Sequence, residues 1–304
     1  MKRFLIETIC VGGIILILLY AIQFGIDKKA RHTYSCLPYR TLNMVRDSHT
    51  IDADVVVFGN CRAQCHYHSE IMDSILQVNC YNLGFWGRSF DHIYNLLIIP
   101  YMEHNVQPKL CIIEVCPQEF FDLRHPHYVS FMSPYLNEKY SKFYVDICDE
   151  INILDLYLPV KYYATKQTMD EMFFASNLKY KDSFAPIEGN EYLHNFQYDI
   201  YELERNEKVI QYFTCFVEDC RSRGIPLLFV CSPMHKKDFY DHCEMDKFWA
   251  LIDSLAPDVP VLDYSLIFGS DTTYFAASTR VNAHGADSFS IKLAHDIDSI
   301  GFLR

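Results

Sequence analysis

The sequence predicts a three-layer α/β/α sandwich with a five-stranded, mostly parallel sheet, preceded by one transmembrane helix. Three observations predict it. Short apolar runs rich in Val, Ile and Leu alternate with amphipathic helical stretches, the rhythm of a parallel sheet covered on both faces. Half of the 304 residues are hydrophobic and 15% are aromatic, enough for one large core. A single uncharged run near the N-terminus is long enough to cross a bilayer.

That run extends from Thr8 to Ile26. At 1.5 Å per residue it spans about 28 Å, close to the hydrocarbon thickness. No Ala-x-Ala-like site follows it, which disfavours a cleaved signal peptide, and it is apolar on all faces, which disfavours a core helix. Lys2 and Arg3 precede it while Lys28, Lys29 and Arg31 follow, so flanking charge does not set its direction. The organisation expected is an anchor over residues 1–27, a polar connector over 28–50 and one domain over 51–304.

The elements of that domain follow in order. Ala53–Phe58 is a β-branched strand stopping at Gly59, and a helix is expected from about Ala63 to Leu76. Val78–Leu83 is the second strand, followed by a helix from about Phe90 to Glu103. Lys109–Val115 is the third. A helix from about Glu202 to Arg223 ends at Gly224, and Pro226–Cys231 is the fourth strand. Asp238–Leu255 is expected to be helical, Val259–Tyr264 is the fifth strand, and a last helix runs from about Ala286 to Ile300. Residues of about 120–200, rich in Tyr, Phe, Met and Asn, break the rhythm and read as a helical insertion on the C-terminal edge of the sheet. Insertions there shape ligand pockets or complete the core.

Several functions are excluded by composition and spacing. A net charge of −12 with no Lys/Arg stripe offers no footprint for nucleic acid. The twelve cysteines make no CxxC pair and do not identify a compartment. Cys61, Cys65, His66 and His68 are close in sequence, but at 100° per residue the two histidines leave the face shared by the cysteines. No metal and no cofactor is expected.

The most specific feature is Val55-Val56-Val57-Phe58-Gly59-Asn60-Cys61-Arg62, a strand that runs into Gly-x-nucleophile-Arg and then a helix. It resembles the first block of the SGNH/GDSL hydrolases, in the Gly-x-Ser-Arg form of membrane-anchored relatives that serve cell-surface polysaccharide O-acetylation and teichoic-acid alanylation. By this resemblance Cys61 stands at the nucleophile position. Asn82-Leu83-Gly84-Phe85-Trp86-Gly87 resembles the second block, which implies an oxyanion-hole N–H from Gly87, with Gly84 as the fallback. Glu114-Val115-Cys116-Pro117-Gln118 resembles the third, with Gln118 at the position of an oxyanion-hole Asn.

The last block departs from the family. Where Asp-x-x-His-Leu-Asn precedes a helix, this chain has Ala277-Ser278-Thr279-Arg280-Val281-Asn282, then His284-Gly285-Ala286. Ala277 cannot orient a base, and Arg280 stays protonated and cannot act as one. Arg280, with Arg62, Asn60 and His284, becomes a candidate ligand-binding group, its guanidinium suited to a carboxylate, sulfate or phosphate.

The resemblance therefore implies a membrane-anchored protein with its domain outside the cytoplasm, and two functions stay open. One is an acyl-ester hydrolase or O-acyltransferase acting on surface polysaccharide through Cys61. The other is a catalytically inactive module that binds a glycan or a polysaccharide-assembly protein in the former cleft.

Overall fold

A computed structural model describes residues 1–35, 37–48, 51–86, 89–120, 134–135, 179–189 and 205–303. The chain divides into two compact units, Met1–Asn43 with Pro126–Leu178, and Met44–His125 with Lys179–Arg304.

In the first unit, helix α1 (Lys2–Arg31) is long and apolar enough to cross a membrane, and none of its apolar window is buried in protein. A helix α2 (Leu37–Met44) follows within the stretch expected to be a polar connector. The difference has a local cause. Tyr39 and Leu42, three residues apart, are both buried, which favours a helix over an open linker. The Asn43 amide also donates to Ala30 O at 2.8 Å and Thr33 O at 2.9 Å, satisfying carbonyls at the end of α1.

The second unit holds a parallel sheet of β1 (Val55–Phe58), β2 (Cys80–Asn82), β3 (Leu110–Glu114), β4 (Leu227–Cys231) and β5 (Val261–Asp263). Its order is β2-β1-β3-β4-β5. This is a doubly wound order, in which chain direction across the sheet reverses beside β1 and opens a crevice at the strand C-termini. Alternation sorts the side chains by face. Val55, Val57, Leu110, Ile112, Leu228 and Val230 share one core cluster with Met72 of α4 (Ser69–Leu76) and Phe289, Leu293 and Ile297 of α10 (Ala283–Ile300). On the other face Phe58 meets Tyr101, and Phe229 meets Phe213 of α8 (Glu207–Arg223). Each fully buried side chain of this kind contributes about 1.5–3 kcal/mol.

Three helices differ from expectation: the stretch Asp238–Leu255 is a 3-10 turn (Tyr240–His242) followed by α9 (Met245–Leu255), and the other two differ for identifiable reasons. The single helix from about Ala63 to Leu76 is broken into α3 (Cys61–His66) and α4 by extended Tyr67 and His68. There Asn82 Nδ2 donates to Tyr67 O at 2.8 Å and to Ala63 O at 2.7 Å, a carbonyl that also accepts from Tyr67 N at 3.4 Å. The stretch after Phe90 is helical as α5 (Phe90–Ile93), a π-helical turn (Tyr94–Ile98) and α6 (Ile99–His104). Pro100 has no N–H to return to Leu96, and Leu96 O is instead taken by Arg46 Nη1 at 3.0 Å.

A short antiparallel hairpin, β6 (Phe275–Ala277) and β7 (Arg280–Val281), was not legible in the sequence; it leads into α10, whose cap Asn282 accepts from Gly285 N at 2.9 Å. Most of the expected insertion at about 120–200 lies outside the described residues. Of it, Ser183 N donates to Asn82 O and Ala185 N to Gln64 O, both at 3.0 Å, so the returning chain lies along β2 and α3.

Gly84 marks the tightest approach in this region. A Cβ there would sit 2.2 Å from Gln64 N in the backbone of α3. Gly84→Ala is expected to cost at least about 1–3 kcal/mol by overpacking. Denaturant unfolding of the detergent-solubilised chain measures it, and an unchanged midpoint would contradict the close contact.

Candidate ligand cleft at the strand C-termini

Cys61 opens α3 directly after β1 and is partly exposed. The turn before it admits only glycine, because a Cβ on Gly59 would lie 2.7 Å from Glu114 Cβ and 2.8 Å from Ala63 Cβ. Asn60 caps the helix by accepting from Arg62 N at 2.8 Å, and its amide reaches Cys116 Sγ at 3.8 Å. Asn60 is thus occupied by the framework.

Behind Cys61 lies a buried polar network centred on Arg62 and Glu114. Arg62 Nε donates to Glu114 Oε1 at 2.7 Å, with both side chains removed from solvent. Arg62 also donates to Thr279 O at 3.1 Å, Ser232 O at 2.5 Å and Ser232 Oγ at 2.9 Å. Burial alone would lower the proton affinity of the guanidinium, but the Glu114 carboxylate, Cys116 and Cys231 together offset this and raise it above the ordinary arginine value. Arg62 is therefore a permanent cation spent on holding the frame, not a group facing a ligand. Glu114 is equally saturated, accepting also from Tyr67 OH at 2.5 Å, Ser232 Oγ at 2.8 Å and Ser232 N at 3.2 Å.

His66 extends the network. Val281 N donates to its Nε2 at 3.2 Å, which assigns the ring proton to Nδ1, and Nδ1 meets Ser232 Oγ at 2.7 Å. Burial, then the positive charges of Arg62 and Arg280, push His66 well below the usual imidazole range. It stays neutral, with both nitrogens committed. The chain Val281–His66–Ser232–Glu114–Arg62 thereby ties β7 to the ends of β3 and β4.

The positions carrying the family resemblance are distributed unevenly. Arg280 begins β7, half-buried, with its guanidinium carbon 4.1 Å from the centre of the Trp86 ring. Trp86 is 45% exposed. Among the described residues Arg280 has no carboxylate partner. Ala277 ends β6, two residues before Thr279, whose carbonyl binds Arg62. His284 is exposed and stacked on Tyr274 at 4.9 Å, an orientation set by that ring rather than by Cys61. Gly87 lies outside the described residues. Gly84 is not available as a substitute, because its N–H donates to Asn82 Oδ1 at 2.8 Å. Gln118, on the single turn α7 (Pro117–Phe120), is half-buried, while the adjacent Glu119 is buried.

Among the described residues no imidazole is hydrogen-bonded to Cys61. His68 stacks on Phe184 at 4.4 Å and pairs with Asp287 at 2.6 Å. No group of three or more His, Cys, Asp or Glu side chains converges as a metal site would require, again among the described residues. Burial pushes the Cys65 thiol up to about 12, which leaves it an inert core group.

No family model matches this sequence, and no curated protein does. Solved structures similar to it include acylhydrolases, lipolytic proteins and esterases. A Bacteroides fragilis protein described as an acylhydrolase aligns with 86% of this chain and 94% of its own at 9% identity, TM-score 0.41. A lipolytic protein of the G-D-S-L family from Desulfitobacterium hafniense aligns over 80% and 98% at 9% identity, TM-score 0.39. An acetylxylan esterase from Geobacillus stearothermophilus aligns over 85% and 99% at 8% identity, TM-score 0.41. The chain's own strand order and glycine contacts, not these likenesses, establish the α/β fold and the position of the cleft.

The buried pair yields a direct test. Glu114→Gln leaves the Arg62 cation buried and uncompensated, so it should lose about 3–5 kcal/mol of stability. A double change of Arg62 and Glu114 to Met and Leu should recover much of that loss. Equal destabilisation by the single and double variants would contradict the pairing.

Proposed function

We propose that this chain is a membrane-tethered SGNH-like protein that binds an acylated or anionic surface glycan in its cleft and does not hydrolyse it. One observation carries this reading. At the position where a hydrolase needs a base, the chain has Arg280, a guanidinium without a carboxylate partner among the described residues, laid on a half-exposed Trp86. A cation over an indole is held at about 0.5–2 kcal/mol and keeps its hydrogen-bond fork available. It offers a sugar carboxylate, sulfate or phosphate two parallel hydrogen bonds, while the exposed indole edge offers apolar contact to a sugar ring.

The glycan as ligand is supported by the Gly59-Asn60-Cys61-Arg62 block and its resemblance to membrane-anchored proteins of polysaccharide modification. The apolar α1 supports the tether, and the same resemblance supports a domain outside the cytoplasm. The competing reading, ester hydrolysis or acyl transfer through Cys61, keeps one favourable feature: the thiol is partly exposed on the turn that a nucleophile would occupy.

The chain has two tryptophans, Trp86 and Trp249, so the signal is read in a Trp249→Phe background, where Trp86 alone reports on the cleft. Titration of the detergent-solubilised chain with O-acetylated oligogalacturonides and O-acetylated xylo-oligosaccharides is expected to change that fluorescence. Arg280→Gln should weaken the acidic probe about tenfold, as loss of a charge-assisted hydrogen bond does. Absence of binding to either probe would overturn the proposal.

A further inference from the structure

Cys111 and Cys220 are two buried thiols that meet across two layers of the second unit. Cys111 is the second residue of β3, and Cys220 lies in the last turn of α8. Both are buried, and the Cys111 thiol is in hydrogen-bond contact with Cys220. The backbone brings the two segments together independently of the thiols. Cys111 N donates to Pro226 O at 2.9 Å, and Cys111 stands beside Leu227 in the β3–β4 register. Ile225 N donates to Cys220 O at 2.9 Å, so the turn that closes α8 leads directly into the strand beside Cys111. Gly224, at φ 66°, permits that tight return. The outer side of α8 is held as well: Phe213 and Phe216 meet Phe90, and Tyr94 OH donates to Asp219 at 2.5 Å.

A buried cysteine can serve simply as a small hydrophobe. The place of this pair in the chain gives it more to do. The chain leaves the sheet along β3, runs through residues of about 120–200, and returns along α8 to β4. Cys111 and Cys220 stand at the two ends of that long excursion. Holding the ends of a long loop together costs conformational entropy, and a covalent link at its base removes part of that cost from the unfolded chain. The same link would tie α8 to β3, the strand that carries Glu114 at its end.

We propose that Cys111 and Cys220 form a structural disulfide while the chain folds in an oxidising compartment. This rests on the placement of the domain outside the cytoplasm proposed above. The oxidant is a second disulfide, either oxidised glutathione or an oxidised protein dithiol. The Cys220 thiolate attacks one sulfur of that disulfide, forming a mixed disulfide and releasing the other sulfur as a thiol. Cys111 then attacks the Cys220 sulfur and expels the second sulfur, also as a thiol. The two cysteines lose two electrons and two protons, and the oxidant's broken S–S bond takes up both. The exchange precedes the docking of α8. In the folded chain both sulfurs are shut away from solutes, and burial, then Cys220, push the Cys111 thiol well above its usual range. The same burial shields the finished bond from external thiols.

The test uses the full chain in detergent, prepared in two ways. One sample is isolated from membranes with N-ethylmaleimide present from lysis. The other is unfolded in urea with dithiothreitol and returned to detergent with oxidised and reduced glutathione, its refolding checked by circular dichroism. Peptide mapping of both is expected to show a cross-link between the Cys111 and Cys220 peptides that disappears on reduction. The linked chain should melt about 10 °C above the same chain refolded in dithiothreitol, a difference that Cys220→Ala abolishes. Free Cys111 and Cys220 in both samples, or a link from either to another cysteine, overturns the disulfide and leaves the placement outside the cytoplasm standing. A link in the refolded sample alone keeps the disulfide site and overturns that placement. A linked chain that melts with the reduced one overturns the structural role.

Discussion

The buried contact between Arg62 and Glu114 is the constraint on which the cleft depends. Arg62 leaves the first turn after β1, Glu114 closes β3, Ser232 follows β4, and Thr279 lies in the β6–β7 hairpin. One guanidinium and one carboxylate thus gather four chain segments at the C-terminal edge of the sheet. Every donor and acceptor in that cluster needs a partner, because none can reach water, and the chosen partners set the positions of the loops. The glycine at 59 follows from the same demand. Glu114 approaches so closely that no Cβ fits there. Cys61 and Arg280 sit on the exposed side of this frame, and their spacing is inherited from it.

The frame and the reaction are separable. A hydrolase of this architecture needs the frame to hold a turn and, in addition, a base that can take a proton. Here the nearby imidazole, His66, is neutral but uses one nitrogen on Val281 and the other on Ser232. It stabilises the hairpin that carries Arg280. Arg280, which the family resemblance sets at the base position, is a permanent cation resting on Trp86. Among the described residues neither group is hydrogen-bonded to Cys61. In the function proposed above, the cleft serves binding and not proton transfer.

The parallel sheet was legible because Val55–Phe58, Leu110–Glu114 and Leu227–Cys231 are buried on both faces and so read as unbroken apolar runs. The break at Tyr67 was not, because it depends on Asn82 and Glu114, which are distant in sequence. The β6–β7 hairpin was missed for a related reason: two short strands held by His66 and Arg62 carry no periodicity of their own. At the site, Cys61 and Arg280 were found through the family resemblance. Trp86 and Ser232 were missed as site residues. The signal for the polar network was present, since a glutamate ending the apolar run Leu110–Ile113 must find a buried partner. The sequence did not say which arginine would supply it.

Ester turnover tests the central claim most directly. The detergent-solubilised chain is assayed with p-nitrophenyl acetate beside Cys61→Ala and a buffer blank. The account predicts that wild type and variant release p-nitrophenol at the same background rate. A wild-type rate clearly above background that disappears in Cys61→Ala would contradict it, and would make this cleft an active site in which something other than a histidine activates the thiol.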